Sequence, residues 1–124
     1  MMSDGRFCRY ELRTKDVPGA RAFYDGLFGD GFWGEHVAVV PLPEQAAARG
    51  APSHWLGCVG TSNVEDMASR IVQLGGQRLG PTRENADASK QAALRDPFGA
   101  VVGIASATSG CSPVARRCHV RSLR

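Results

Sequence analysis

Two stretches of the chain alternate apolar and polar residues, and each gives way to a helical pattern. The alternating stretches, Phe7–Thr14 and His54–Thr61, read as strands. Each leads to a residue whose side-chain oxygen can cap a helix, Asp16 or Asn63. Apolar residues then recur at helical spacing, as Val17, Ala20, Phe23, Tyr24 and Leu27 in the first helix and Val64, Met67, Ala68, Ile71 and Leu74 in the second. The pattern predicts a β-α unit used twice, with each helix burying its apolar stripe against a sheet.

Equivalent residues of the two units are separated by a constant number of positions. Thr14 and Thr61 are 47 positions apart, as are Leu27 and Leu74. A repeat at this period indicates one supersecondary unit used more than once. Gly29 and the glycine pair at 75–76 supply the helix ends.

The residues after each helix predict different numbers of strands. After the second helix, strands are expected at 77–80, Lys90–Arg95 and 100–106, with a polar loop at 81–88. Asp96-Pro97-Phe98-Gly99 fits a type I turn between the last two strands. After the first helix only residues 37–40 are strand-like, and 44–50 form a helical turn or linker. The 11 residues between Gly29 and Pro41 are too few for three strands, so the first module is predicted to be shortened.

Length, composition and charge restrict which classes of protein this sequence can encode. With 124 residues, 43% of them hydrophobic, a single folded domain is expected. No apolar run approaches the ~20 residues that span a bilayer, and the N-terminus does not resemble a signal peptide, so we expect a cytoplasmic protein without a membrane partner. The net charge is +3, but four of the 15 Lys and Arg residues lie in the segment 108–124, which leaves 11 against 12 Asp and Glu in residues 1–107. A nucleic-acid partner is therefore not expected, and 108–124 is predicted to be a basic, flexible tail.

Several of these segments, in this order, resemble the vicinal oxygen chelate superfamily, which includes glyoxalases, bleomycin-resistance proteins and extradiol dioxygenases. They are the segment 14–29, His54-Trp55-Leu56-Gly57, Leu74-Gly75-Gly76 and Asp96-Pro97-Phe98-Gly99-Ala100. The resemblance implies an α+β fold in which two β-α-β-β-β modules, here about 6–50 and 53–107 of a domain spanning 1–107, form a curled, U-shaped mixed sheet with helices on its outer face. It also implies a ligand-binding cleft, often with a divalent metal, and a homodimer.

The metal-binding positions of that family are not retained. The family places a His or Gln in the first strand of each module and a Glu in a later strand of each. Three of these positions fall on Arg9, Leu56 and Gly103, and the fourth is undefined in the shortened module. None of the three side chains can bind a divalent metal as imidazole or carboxylate does. We therefore expect no metal and no other cofactor.

One face of the first strand suggests a binding site instead. Arg9, Glu11 and Arg13 alternate along it and would line the floor of the cleft. Surplus guanidinium favours a carboxylate or phosphate, so a small polar or anionic ligand is predicted. In the alternative interpretation, Arg9 pairs with Glu11 or Glu35 at a solvated edge.

His54 and Phe98 complete the candidate ligand-binding residues. His54 could act as a general base or lie in solvent at the end of its strand. Trp55, on the opposite face, is expected to pack against the helix. Phe98, in the exposed turn, could fold over the mouth of the cleft or contact a dimer partner.

Three functional hypotheses follow. We favour a metal-free small-molecule-binding protein of the glyoxalase and bleomycin-resistance type, and leave open whether it catalyses a reaction. The first alternative is a metal-dependent lyase, isomerase or dioxygenase with a non-standard site formed by Glu11, His36 and His54. A weaker alternative is an interaction subunit whose shortened module pairs with another chain.

Overall fold

The computed structural model describes residues 5–85 and 88–106, and its elements follow the order read from the sequence except for a short strand, Arg83–Glu84, within the segment predicted as a polar loop. The strands are β1 (Phe7–Thr14), β2 (Val37–Pro41), β3 (His54–Thr61), β4 (Gln77–Arg78), β5 (Arg83–Glu84), β6 (Lys90–Arg95) and β7 (Val101–Ser106). The helices are α1 (Val17–Phe28), α2 (Glu44–Ala48) and α3 (Val64–Gln73), with a 3₁₀ turn at Asp30–Phe32. None of the helices in these residues is long and apolar enough to cross a membrane. The predicted tail, 108–124, lies outside the described residues.

All seven strands belong to one mixed sheet. Its order is β2-β1-β3-β7-β6-β4, and β5 pairs with β6. The β1–β2 and β3–β7 pairs are parallel, whereas the β1–β3, β6–β7, β4–β6 and β5–β6 pairs are antiparallel. The fold is therefore α+β with a mixed sheet, as predicted.

The sheet is strongly curled. Strands β1 and β6 are separated by β3 and β7, which in a flat sheet would place them roughly 14 Å apart. Nevertheless, Gln91 on β6 donates a hydrogen bond to Glu11 on β1 over 3.0 Å. The two strands can come this close only if the sheet closes around its concave face.

The internal repeat is visible in the strand pairing. In the second module the first strand, β3, pairs in parallel with the last, β7. In the first module β1 pairs in parallel with β2, so β2 corresponds to β7. No described strand of the first module corresponds to β4 or β6. The prediction of a shortened first module is confirmed, and the lost part is the antiparallel pair beyond the last strand.

Both predicted helix caps are present. Asp16 accepts a hydrogen bond from the Gly19 amide and Asn63 accepts one from the Asp66 amide, each over 3.0 Å. These bonds satisfy amides that have no partner within the first helical turn. Gly29 follows α1 with φ of 87°, in the left-handed region that favours glycine.

The two helices differ in what they bury. Helix α3 packs Val64 and Ala68 against β6 and β7, where Ala92, Leu94 and Ile104 complete the core. Helix α1 has no buried residue. Its Phe23 is 60% and its Leu27 58% exposed, so the expected burial of the first apolar stripe is wrong. The reason is the missing strands, because α1 packs mainly on β2, the 3₁₀ turn and the Trp55 ring of β3, whereas α3 packs against β4, β6 and β7.

Candidate functional site

A buried carboxylate lies at the centre of the concave face. Glu11 is 1% exposed, since alternation along β1 points its side chain inside the curled sheet. Its Oε1 accepts hydrogen bonds from Arg13 Nε and from Gln91 Nε2, each over 3.0 Å. Arg83 Nη2 lies 3.5 Å from Glu11 Oε2. Two guanidinium groups thus share one carboxylate, which compensates for its loss of hydration.

The hydrogen bonds around Glu11 continue into the second module. Gln91 Oε1 accepts a hydrogen bond from Asn85 Nδ2 over 3.3 Å, and the same amide donates to Ser89 Oγ over 2.9 Å. Strand β1 is therefore linked through Gln91 to the segment between β5 and β6. This polar network fixes the two modules relative to each other across the concave face.

Apolar residues occupy the part of the concave face beside Glu11. Leu56, Cys58 and Ala105 form a buried cluster against which Ala93 packs. Burial raises the pKa of the Cys58 thiol to about 11, and the charge of Glu11 acts in the same direction. At neutral pH Cys58 is therefore a neutral, apolar contact and neither a nucleophile nor a thiolate ligand.

Gly103 is required by this packing. A Cβ at this position would lie 2.6 Å from Cys58 Sγ and 3.1 Å from a Leu56 methyl group. Two of the three family metal positions identified in the sequence, Leu56 and Gly103, are thus occupied by the apolar cluster.

An open cavity of about 700 Å³ adjoins Glu11 and its partners. Its walls include four guanidinium groups and one imidazole, from Arg13, Arg49, Arg83, Arg95 and His54. Apolar side chains form much of the remaining wall, and within 5–85 and 88–106 no Asp or Glu lines it. The arrangement is strongly electropositive and combines charge with apolar surface.

The loop that carries Arg83 into the cavity is tied to helix α3. The Thr82 hydroxyl donates to the Glu65 carboxylate, and Arg78 donates to both Glu65 and Thr82, over 3.2 and 2.9 Å. The hydrogen bond from Thr82, followed by the Arg78 charge, lowers the pKa of Glu65. Glu65 is therefore ionised at neutral pH and fixes one end of the cavity wall.

The residues predicted on β1 share its concave face, but they differ in their contacts and in whether they line the cavity. Arg13 lines the cavity and pairs with Glu11. Arg9 does not line the cavity, and its Nε is buried without a hydrogen-bond partner in the described part of the chain. The expected pairing of Arg9 with Glu11 or Glu35 is not observed, because Arg13 and Arg83 occupy the Glu11 carboxylate.

His54 lines the cavity, whereas Phe98 does not. The Nδ1 of His54 donates a hydrogen bond to the Pro52 carbonyl over 2.8 Å, which leaves Nε2 available as an acceptor. Phe98 is 93% exposed and is absent from the cavity wall, so it does not fold over the cleft in this structure. Trp55 faces α1, where its Nε1 donates to the Tyr24 hydroxyl over 3.2 Å.

The structure does not bring together the proposed alternative metal ligands. Within 5–85 and 88–106, no three His, Cys, Asp or Glu side chains are placed to hold a metal ion. The His36 Nδ1 lies 3.1 Å from the Cys8 carbonyl, and Glu11 is occupied by Arg13, Arg83 and Gln91. A site made of Glu11, His36 and His54 is therefore not formed.

The sequence interpretation missed four polar residues of this region. Gln91 and Arg95 alternate on the predicted strand Lys90–Arg95, so strand periodicity could have placed both on the concave face. Arg49 follows α2, and Arg83 lies in a segment that was read as a loop. No local signal marks those two, because their position depends on where the connecting segments cross the open end of the sheet.

Comparison with known proteins finds relatives in sequence and in fold. No family model matches the sequence. Two mycobacterial proteins, from Mycobacterium bovis and Mycobacterium tuberculosis, carry the provisional name glyoxylase CFP32 and are each 29% identical over 111 residues. The match covers 76% of this chain but only 42% of theirs, so this chain spans less than half the length of these relatives.

Solved structures share the fold. A variant of the Streptomyces coelicolor methylmalonyl-CoA epimerase, in complex with 2-nitronate-propionyl-CoA, superposes with a TM-score of 0.59 at 16% identity, over 88% of this chain and all of that one. The hypothetical protein BH1468 from Bacillus halodurans gives a TM-score of 0.54 at 13% identity, over 86% of this chain and 97% of that one. The chain thus shares the fold of these structures, and its sequence match is to proteins named as glyoxylases, in agreement with the resemblance to the vicinal oxygen chelate superfamily.

Proposed function

We propose that the cavity binds a small molecule bearing a carboxylate or phosphate group. The observation that carries the proposal is the charge of the wall, where four arginines and no Asp or Glu are found among the described residues. A guanidinium can donate two parallel hydrogen bonds to either anion. A cavity of about 700 Å³ also lies within the roughly 300–1,000 Å³ range of small-molecule sites.

We further propose that the ligand is held without a metal ion. The three family metal positions carry a guanidinium, an isobutyl side chain and a hydrogen, in Arg9, Leu56 and Gly103. Leu56 and Gly103 are packed against Cys58, so these positions belong to the core. The guanidinium groups around Glu11 would also repel a divalent cation. The residues present thus do not fit the metal of the family.

Replacing Arg83 by glutamine should weaken the binding of phenyl phosphate about tenfold, because a charge-assisted hydrogen bond contributes roughly 1.5–3 kcal/mol. Arg83 is suited to this test because its side chain is 45% exposed and pairs only loosely with Glu11. Isothermal titration calorimetry of phenyl phosphate measures the effect. Arg70→Gln, on the outer helix α3 and outside the cavity wall, is the matched control and should bind as the unmodified protein does.

The same protein preparation tests the metal-dependent alternative. Inductively coupled plasma mass spectrometry, after dialysis against Zn, Ni, Mn and Fe(II) in turn, should find no stoichiometric metal. Metal retained in the protein and lost on His54→Ala would contradict the metal-free proposal. Absence of phenyl phosphate binding in the unmodified protein would contradict the anion-binding proposal.

We also propose a homodimer, as the family resemblance implies. Sedimentation equilibrium should give twice the chain mass of 13.2 kDa. A mass equal to one chain at micromolar concentration would contradict this proposal and leave anion binding unaffected. Co-purification of a different chain at a fixed ratio would instead support the interaction-subunit hypothesis.

A further inference from the structure

The four arginines of the cavity wall differ in their counter-charges. Arg13 and Arg83 share the Glu11 carboxylate. Arg49 and Arg95 have no side-chain hydrogen bond or ion pair to any residue within 5–85 and 88–106. With Glu11 counted, the site carries three more positive charges than negative ones. One ligand carboxylate would leave most of this excess in place.

The cavity is small enough for these charges to act on one ligand. A sphere of 700 Å³ has a diameter of about 11 Å. This exceeds the Debye length of about 8 Å at physiological ionic strength only slightly, so guanidinium groups on opposite walls are partly screened from each other and closer ones much less. Their mutual repulsion is therefore a cost in the empty protein, and each negative charge on a ligand reduces it.

We infer that the ligand is a dianion, a phosphate monoester or a dicarboxylate, attached to a compact apolar body. This inference rests on the proposed anion-binding function and specifies its ligand class. In this assignment Arg13 and Arg83 hold one part of the anionic group, and Arg49 and Arg95 supply the charge that favours a second negative charge. The apolar body would lie against wall residues that offer no side-chain hydrogen bond, namely Pro43, Ala46, Pro52, Leu79, Ala93 and Val101.

The location of Arg49 and Arg95 supports separate roles for the two arginine pairs. Arg95 ends β6 and faces Val101 across the β6–β7 pair, whereas Arg49 follows α2 in the connection to β3. They reach the cavity from different elements, and neither takes part in the hydrogen-bond network around Glu11. Their substitution can therefore change ligand charge preference without removing the network that holds the modules together.

Three aromatic anions of similar size test whether ligand charge, and not ligand shape, sets the binding affinity. Benzoate carries one negative charge, whereas phthalate and phenyl phosphate each carry about two at about pH 8. Calorimetric titration should show phthalate and phenyl phosphate binding at least about tenfold more tightly than benzoate, and this preference should weaken as salt is raised. In the Arg49→Gln/Arg95→Gln double variant the preference for the dianions over benzoate should fall to about threefold or less. Arg70→Gln should preserve the full preference.

Each alternative result has a separate meaning. Equal affinity for benzoate and the two dianions would overturn the dianion inference and leave the anion-binding proposal intact. A preference for dianions that persists in the double variant would overturn the roles assigned to Arg49 and Arg95. Absence of binding for all three probes would overturn both the inference and the proposed function. Circular dichroism and a thermal melt of each variant verify that it is folded.

Discussion

Replacing Glu11 by glutamine should reduce the free energy of unfolding by about 3 kcal/mol, because it removes the counter-charge of a buried guanidinium. Glu11 is 1% exposed, and the side chain of its partner Arg13 is 9% exposed. Glutamine preserves the shape and one acceptor oxygen, so the change isolates the charge. Its new amide hydrogens would also face the amide of Gln91, which donates to Glu11 in the native protein.

Urea unfolding followed by circular dichroism measures this loss, which should also lower Tm by roughly 10 °C. Glu84→Gln, on the exposed strand β5, is the matched control and should change stability by no more than about 0.5 kcal/mol. Adding Arg13→Met to Glu11→Gln should recover a large part of the loss, since the guanidinium that Glu11 neutralised would then be absent. An effect of Glu11→Gln equal to that of Glu84→Gln would show that the buried ion pairs do not hold the modules together.

Truncating Leu56 to alanine should cost about 3 kcal/mol, within the roughly 2–5 kcal/mol measured for buried leucines elsewhere. Leu56 is 1% exposed and packs with Cys58 and Ala105 under the concave face. The neighbours cannot easily fill the resulting space, because β3 lies between β1 and β7 in the sheet and is paired on both sides. A cavity would therefore remain beside the polar network of Glu11.

Leu74→Ala provides the comparison for this prediction. Leu74 is 76% exposed at the end of α3, so the same truncation there should change stability by less than about 1 kcal/mol. Denaturant midpoints of the two variants, compared at equal slope, give the difference. Equal losses for the two leucines would contradict the assignment of Leu56 to the core. Such a result would also mean that β3 could present a functional side chain at position 56.

Leu56 lies at a position where the resemblance to the vicinal oxygen chelate superfamily implies a metal ligand. A strand residue that faces a ligand-binding cleft can be polar only if ligand, metal or protein satisfies it. Here Leu56, Cys58 and Gly103 fill the corresponding part of the concave face with apolar contacts. The polar groups are instead concentrated around Glu11 and along the cavity wall. The concave face therefore carries an apolar cluster at two of the positions where the resemblance implies metal ligands, and its arginines line the cavity beside that cluster.

Local patterns were sufficient for the elements and for the repeat. The caps at Asp16 and Asn63 depend on side-chain oxygens that bond amides three residues away, so their effect is readable from neighbouring residues. The Asp96 turn is similar, since its carboxylate accepts from the Phe98 and Ala100 amides over 2.8 and 3.0 Å. Strand alternation also placed Glu11 and Arg13 on a common face.

The sequence by itself thus determined the order of strands and helices, the shortened first module and the charged face of β1. Only the tertiary structure decided that Glu11 meets Gln91, 80 positions away, and Arg83, and that Arg49 and Arg95 line the same cavity. It also decided that the apolar stripe of α1 stays largely exposed. The physical reason is that caps, turns and alternation depend on nearest neighbours along the chain. The closing of a curled sheet and the partners available to a helix depend instead on which distant strands are present.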